Sequence, residues 1–214
     1  MSAFVDATKR AALAALFSFL ALFAAASAAQ SVARPEVKVD DRWVYKRTDW
    51  RTKPPTVVYE IRVTFVDERA IHTVVERQGG SREGDATWTR EWNSVNTVDA
   101  GVVELEKGMM QFPLSVGRAY QSAWHMRRPK VGAFHVRHER DVKVVGWEDI
   151  EVPAGKFRAL KVQADGGYRR FDRPNEGWSR NTFWYVPAVK RWVRSLYEDA
   201  QGQVGEELFF YRVQ

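Results

Sequence analysis

The chain has 214 residues, of which 13% are aromatic, and a formal net charge of +6 from 33 basic and 27 acidic side chains. It contains no cysteine, which excludes disulfides, thiolate catalysis and Cys-ligated metals. The basic and acidic residues alternate along the chain instead of forming the dense basic stripe that nucleic acid requires, so no nucleic-acid partner is expected.

The first element is a leader. Lys9 and Arg10 precede an uncharged Ala/Leu/Phe run from Ala11 to Ala29, and Ala26-Ser27-Ala28 has the small-x-small form that signal peptidase accepts. This pattern predicts a signal peptide over residues 1–29, cleaved near Ala28 or Ala29. The rival is an uncleaved anchor, since the run approaches the roughly 20 apolar residues that span a bilayer. Alanine dominates it and contributes little. Without a cysteine at the cleavage point there is no lipid attachment, so the mature protein is expected in the periplasm or secreted, with no stable transmembrane anchor. Residues 30–214 then form a single antiparallel β domain.

From Trp43 onward the hydrophobic period is two. In "VVYEIRVTFV", Val57, Tyr59, Ile61, Val63 and Phe65 share one face, and Glu60, Arg62 and Thr64 share the other. Further strands are predicted over residues 42–48, 71–77, 87–92, 102–106, 119–127, 133–145, 147–152, 157–163, 182–186, 192–198 and 207–213. Breakers such as "RQGGSREGD", "RRPKVG", "VPAGK" and "DAQGQVG" separate them. The expected fold class is all-β and mainly antiparallel: a curled up-and-down sheet forming a barrel or half-barrel, preceded by an N-terminal signal helix. One connection, Gly166 to Asn181, is too long for a hairpin loop. It carries Tyr168, Phe171 and Trp178 among arginines, and is either an insertion tucked on the barrel rim or a binding loop.

Candidate ligand contacts come from the strand faces. In the segment 133–145, His138 and Arg140 fall on the same face as Phe134, Val136, Val142 and Val144. A charge on an apolar face must be paired or wet. Either His138 and Arg140 hold an anionic head group in a cavity, or a β-bulge turns both outward. Trp88, Arg90 and Trp92 alternate on one face, where a guanidinium can lie on indole rings; such a ladder binds a sugar ring or decorates a sheet. Arg127, Arg128 and Lys130, with Lys190, Arg191 and Arg194, make either a basic rim for phosphates or separate solvated turns. "HVRH" is not a metal site, because His135 and His138 point to opposite faces of a strand. No G-x-S-x-G elbow, H-E-x-x-H pair or phosphate loop occurs, so neither an enzyme nor a cofactor is expected.

"VVGWEDIEVPAGKFRALKVQ" (144–163), "NTFWYVPAVKRWVRSLYED" (181–199) and "FPLSVGRAY" (112–120) resemble the V-P-A-G-x-F, W-Y-x-P and F-P-L-x-V-G elements of the secreted bacterial DUF3108-like and TapB-like families. "DDRWVYKRTD" resembles their G-D-x-W-x-Y opening, with Asp40 in place of the usual Gly. The resemblance covers about Phe112 to Asp199 and is structural in character. Pro153 fixes φ, Gly155 permits a tight turn, and Phe157 and Trp184 are expected as core anchors. It implies a curved sheet similar to the lipoprotein carriers LolA and LolB, which hold acyl chains in an apolar concavity. The expected partner is therefore a lipid or amphipathic small molecule, with an adaptor for an envelope protein or glycan as the alternative. The candidate contacts are His138, Arg140, Val136, Phe134, Trp184, Trp178, Tyr168, Arg127 and Arg128.

Overall fold

A computed structural model describes residues 31–52, 56–97, 101–128 and 134–214. The leader and the predicted signal helix, residues 1–29, lie outside the described residues. Twelve antiparallel strands succeed one another: β1 (Arg42–Asp49), β2 (Thr56–Val66), β3 (Ala70–Arg77), β4 (Arg82–Thr89), β5 (Ser94–Thr97), β6 (Gly101–Lys107), β7 (Ala119–Arg127), β8 (His135–Val152), β9 (Gly155–Arg170), β10 (Glu176–Val186), β11 (Arg191–Asp199) and β12 (Gly202–Arg212). Each pairs with its chain neighbours, and β1 pairs with β12 from Arg42↔Arg212 to Asp49↔Val204, so the sheet is a closed barrel. The only helical turn among the described residues is the 3-10 turn Pro187–Val189.

Period-two faces hold wherever the ladder is regular. Ile61 and Val63 of β2 are buried as the alternation requires, but the register slips between Val63 and Phe65. The extra residue turns Phe65 out to 56% exposure. A second bulge explains why the predicted strands 133–145 and 147–152 are one element: the register shifts between Val144 and Gly146, Val145 turns outward, and β8 continues. The predicted long connection 166–181 is likewise a correction. β9 and β10 run through it as a paired hairpin, with Gly166 opposite Ser179 and Arg169 opposite Glu176. Gly166 is no breaker. A Cβ there would run into the carbonyl oxygen of Glu139 on β8, so glycine permits the close approach of two strands. The opening expectation for "VPAGK" holds, with Val152 opposite Gly155 and Gly155 at φ +131°.

Antiparallel order puts the turns β1–β2, β3–β4, β5–β6, β7–β8, β9–β10 and β11–β12 at one end, and the entry to β1 and the exit from β12 with the remaining turns at the other. The terminal end is plugged. Val32 exchanges backbone hydrogen bonds with Leu114, and Val37, Met110, Leu114 and Val189 are buried beside them. Leu114 and Gly117 come from the "FPLSVG" element; Gly117, at φ +85°, donates its N–H to Val144. Asp41, fully buried, ties the plug together. Its carboxylate accepts from Lys190 Nζ (3.0 Å), from the backbone N–H of Gln214 (2.8 Å) and from that of Lys38 (2.9 Å). Three remote segments thus meet on one charge.

Removing a buried partner strands the other charge, which costs about 3 kcal/mol or more. Asp41→Ala is therefore expected to lower the melting temperature by roughly 6–12 °C in thermal unfolding of the mature protein, while an exposed control such as Glu68→Ala leaves it unchanged.

Candidate functional site

Above the plug the lumen opens into two chambers. One, of about 350 Å³, is lined chiefly by Val103, Leu105, Met109, Met126, Trp124 and Phe183. The other, of about 320 Å³, is lined by Val57, Tyr59, Ile61, Val75, Ala86 and Arg191. Arg47, Trp88, Trp192 and Glu206 border both and form the partition. Strands from opposite sides of the barrel contribute to each chamber, so both belong to the lumen. The carboxylate of the partition is engaged: Tyr59 Oη donates to Glu206 Oε1 (2.6 Å) and Ser195 Oγ to Glu206 Oε2 (3.0 Å). Burial, and then the Glu206 charge, push the Tyr59 phenol well above its ordinary pKa, so it stays a donor. At the mouth, Arg77 pairs with Glu83 and Arg51 with Asp49.

Arg191 sits at the base of the second chamber, 1% exposed. Its guanidinium carbon lies 4.1 Å from the ring centre of Trp92, 4.2 Å from Trp192, 4.8 Å from Trp88, 5.7 Å from Trp43 and 5.8 Å from Tyr45. The cage is held by its own hydrogen bonds. Trp43 Nε1 donates to the Val189 carbonyl (2.9 Å), Trp92 Nε1 to that of Lys190 (2.8 Å), and Tyr45 Oη to that of Trp192 (2.7 Å). The walls thus grip the backbone on both sides of Arg191 and direct its side chain inward. The residue was read as part of a basic rim or of a solvated turn; instead it is enclosed within the barrel. Arg127 and Arg128 end β7 at the open end, whereas Lys190 and Arg191 follow the β10–β11 turn at the plugged end, so that rim does not assemble.

The same cage revises the Trp88, Arg90, Trp92 ladder. β4 stops at Thr89, and Trp92 follows in a turn at φ +64°, where Thr89 Oγ1 accepts from the N–H groups of Glu91 and Asn93. Both indoles point into the lumen, but Arg90 reaches away to the Asp67 carbonyl. The cation on the rings is Arg191.

His138 and Arg140 do face inward. The β7–β8 register is unbroken from Ala119↔Lys143 to Arg127↔His135, so no bulge turns them out. Arg140 is 3% exposed and donates from Nη1 to the carbonyls of Glu139 (2.7 Å) and Gly167, and from Nη2 to Ser179 Oγ and His138 Nδ1 (3.2 Å). Trp124 lies over it at 5.4 Å and stacks on His138 at 4.8 Å. Arg140 therefore spends four hydrogen bonds on the wall. Burial pushes the His138 imidazole down to about 3, with Arg140 as the second cause.

The other expected contacts scatter. Val136 is buried inside the wall but lines neither chamber, and Tyr168 stands 6.1 Å from His138. Phe134 is at the mouth, its ring under Arg170 (4.5 Å) and Arg128 (5.2 Å), and Arg127 pairs with Glu104 (3.3 Å). Trp178 is exposed. Trp184 lies outside the lumen, with Nε1 donating to Glu148 Oε2 (2.9 Å) and its ring against Lys161, so it is not the core anchor expected; Phe157 too is only half-buried. The residues that border the chambers and escaped sequence reasoning are Tyr59, Trp124, Trp192 and Glu206. One signal pointed to Arg191: starting β11 one residue earlier puts it on the face of Val193 and Ser195.

No protein-family model matches the chain, so the DUF3108-like and TapB-like resemblance rests on its hairpin motifs, and no curated protein matches it either. Solved structures do. The chain is similar to a predicted exported protein of Bacteroides fragilis with a YmcC-like fold, at 15% identity and TM-score 0.52, covering 85% of this chain and 99% of that one. A predicted lipoprotein of Parabacteroides distasonis aligns over the same shares at 16% identity and TM-score 0.47. At such identities the likeness is one of fold.

The depressed His138 pKa has a sign. The unfolded chain takes up a proton near 6.5 and the folded one only near 3, so stability present above 6.5 is lost as pH falls through that window. His138→Phe, which keeps the stack on Trp124, is expected to flatten this loss: between about pH 7 and about pH 4 its melting temperature falls less than that of the wild type, and parallel curves would refute the assignment.

Proposed function

We propose that this is an exported, non-enzymatic binding protein that holds a small lipophilic or amphipathic envelope molecule in its lumen. The observation that carries the reading is the pair of lumenal chambers, about 350 and 320 Å³, the first walled largely by Trp, Met, Leu and Val and the second by an apolar strip of Val57, Tyr59, Ile61, Val75 and Ala86 among charged side chains. Concave, mostly apolar spaces with a few placed polar groups are where small molecules bind. The leader at residues 1–29 and the exported neighbour of like fold support an envelope location. Glu206 of the partition is held by hydrogen bonds from Tyr59 and Ser195, an arrangement suited to fixing a ligand's orientation more than to proton transfer. The alternative, an adaptor presenting Trp-rich and basic surfaces, needs a barrel packed solid; the plugged end fits that, and the chambered end does not.

Wild-type protein is expected to bind the uncharged fluorescent probe N-phenylnaphthylamine. Leu105→Trp, which fills the first chamber, is expected to weaken binding by about tenfold, or 1.4 kcal/mol, without lowering the melting temperature. Native mass spectrometry of protein purified from its own envelope should show an adduct that denaturing extraction releases. A clean apo mass together with no probe binding would remove the reading.

A further inference from the structure

The Arg191 cage lacks one component. Five aromatic rings surround the guanidinium, and Tyr45 Oη shares a hydrogen bond with it, yet Nε and Nη1 are buried with no acceptor among the described residues. No carboxylate among the described residues pairs with it: Glu206, in the wall of the same chamber, is taken by Tyr59 and Ser195, while Arg77–Glu83 and Arg51–Asp49 are closed pairs at the mouth. Ring faces attract a cation but offer weak acceptors to its N–H groups. A buried charge is normally satisfied by an opposite charge as well. Arg140 shows the contrast within the same barrel: its Nε also lacks an acceptor, but both of its terminal nitrogens are occupied, by two carbonyls, Ser179 and His138, whereas Nη1 of Arg191 is not.

We propose that Arg191 is the anchor for the anionic head group of the lumenal ligand, a carboxylate or phosphate whose apolar tail extends along the Val57, Ile61, Val75 and Ala86 wall toward the mouth. This rests on the lumen-binding reading and adds to it the chemical class of the ligand and its polarity in the barrel. The head group lies deep, on Arg191, and the tail lies above it. The rings of Trp88, Trp92 and Trp192 surround the site, so occupancy is reported by tryptophan fluorescence.

The test titrates the mature protein with decanoate, decyl phosphate and decanol, following tryptophan fluorescence and displacement of N-phenylnaphthylamine. One or both anions are expected to bind at least about tenfold tighter than decanol, and the preferred anion names the head group. Arg191→Gln is expected to bring anion and alcohol within about twofold of each other; should it fail to fold, the wild-type comparison decides alone. Equal binding of anions and alcohol by the wild type would overturn the anchor and make the cage a structural element, with the lumen reading intact. A folded Arg191→Gln variant that keeps the preference would place the anion elsewhere and also overturn it. Failure of every amphiphile and of N-phenylnaphthylamine would remove the lumen reading itself.

Discussion

The pairing of β1 with β12 is the constraint on which the rest depends. A sheet of twelve sequential strands exposes two edges unless they meet, and here they meet along the whole of β1. Closure requires each strand to keep one face toward a common axis, and it brings residues distant in the chain to opposite walls of one space. It also brings the entry to β1 and the exit from β12 to one end, where Asp41 joins the segment before β1, Gln214 and the β10–β11 turn through Lys190. The buried carboxylate thus fastens the seam where chain connectivity cannot.

At the plugged end the interior is filled, and toward the open end it is lined. The difference lies in which side chains the strands present. Near the plug, Tyr45, Leu114, Tyr185 and Leu208 are buried and in contact across the axis. Toward the open end the inward positions pass to Val103, Leu105, Met126 and Asn181, which do not span it. The aromatic cage marks the boundary. Its hydrogen bonds to the carbonyls of Val189, Lys190 and Trp192 make the floor of the chambers a rigid platform rather than a collection of packed rings.

Two buried arginines illustrate two uses of a guanidinium. Arg140 sits opposite Gly166, where β8 and β9 approach closely, and both of its terminal nitrogens are consumed by the wall. Arg191 is enclosed by ring faces and leaves Nε and Nη1 without an acceptor among the described residues. Planarity and weak hydration let arginine adopt either state, where lysine would demand three acceptors. Burial class alone does not separate the two; the acceptors do.

The alternation of polar and apolar residues by itself determined the all-β class and the positions of most strands, and Pro153 with Gly155 marked the hairpin, because side-chain facing in a strand is a local property of period two; whether His138 and Arg140 face inward or are turned out by a bulge was decided only by the unbroken β7–β8 register. Local pattern lost the thread wherever a residue was inserted or a glycine had a remote purpose. Phe65 and Val145 turned outward at bulges, and Gly166 read as the start of a long connection although it is a strand position where β9 closely approaches the Glu139 carbonyl on a neighbouring strand. The chambers and the Arg191 cage were decided only by tertiary structure. "VKRWVR" shows three basic residues in a row of six, and nothing within it tells that Trp43, Trp88 and Trp92 wait across the barrel. Which cation is solvated and which is enclosed depends on barrel closure, and closure is set by pairing between the two ends of the chain.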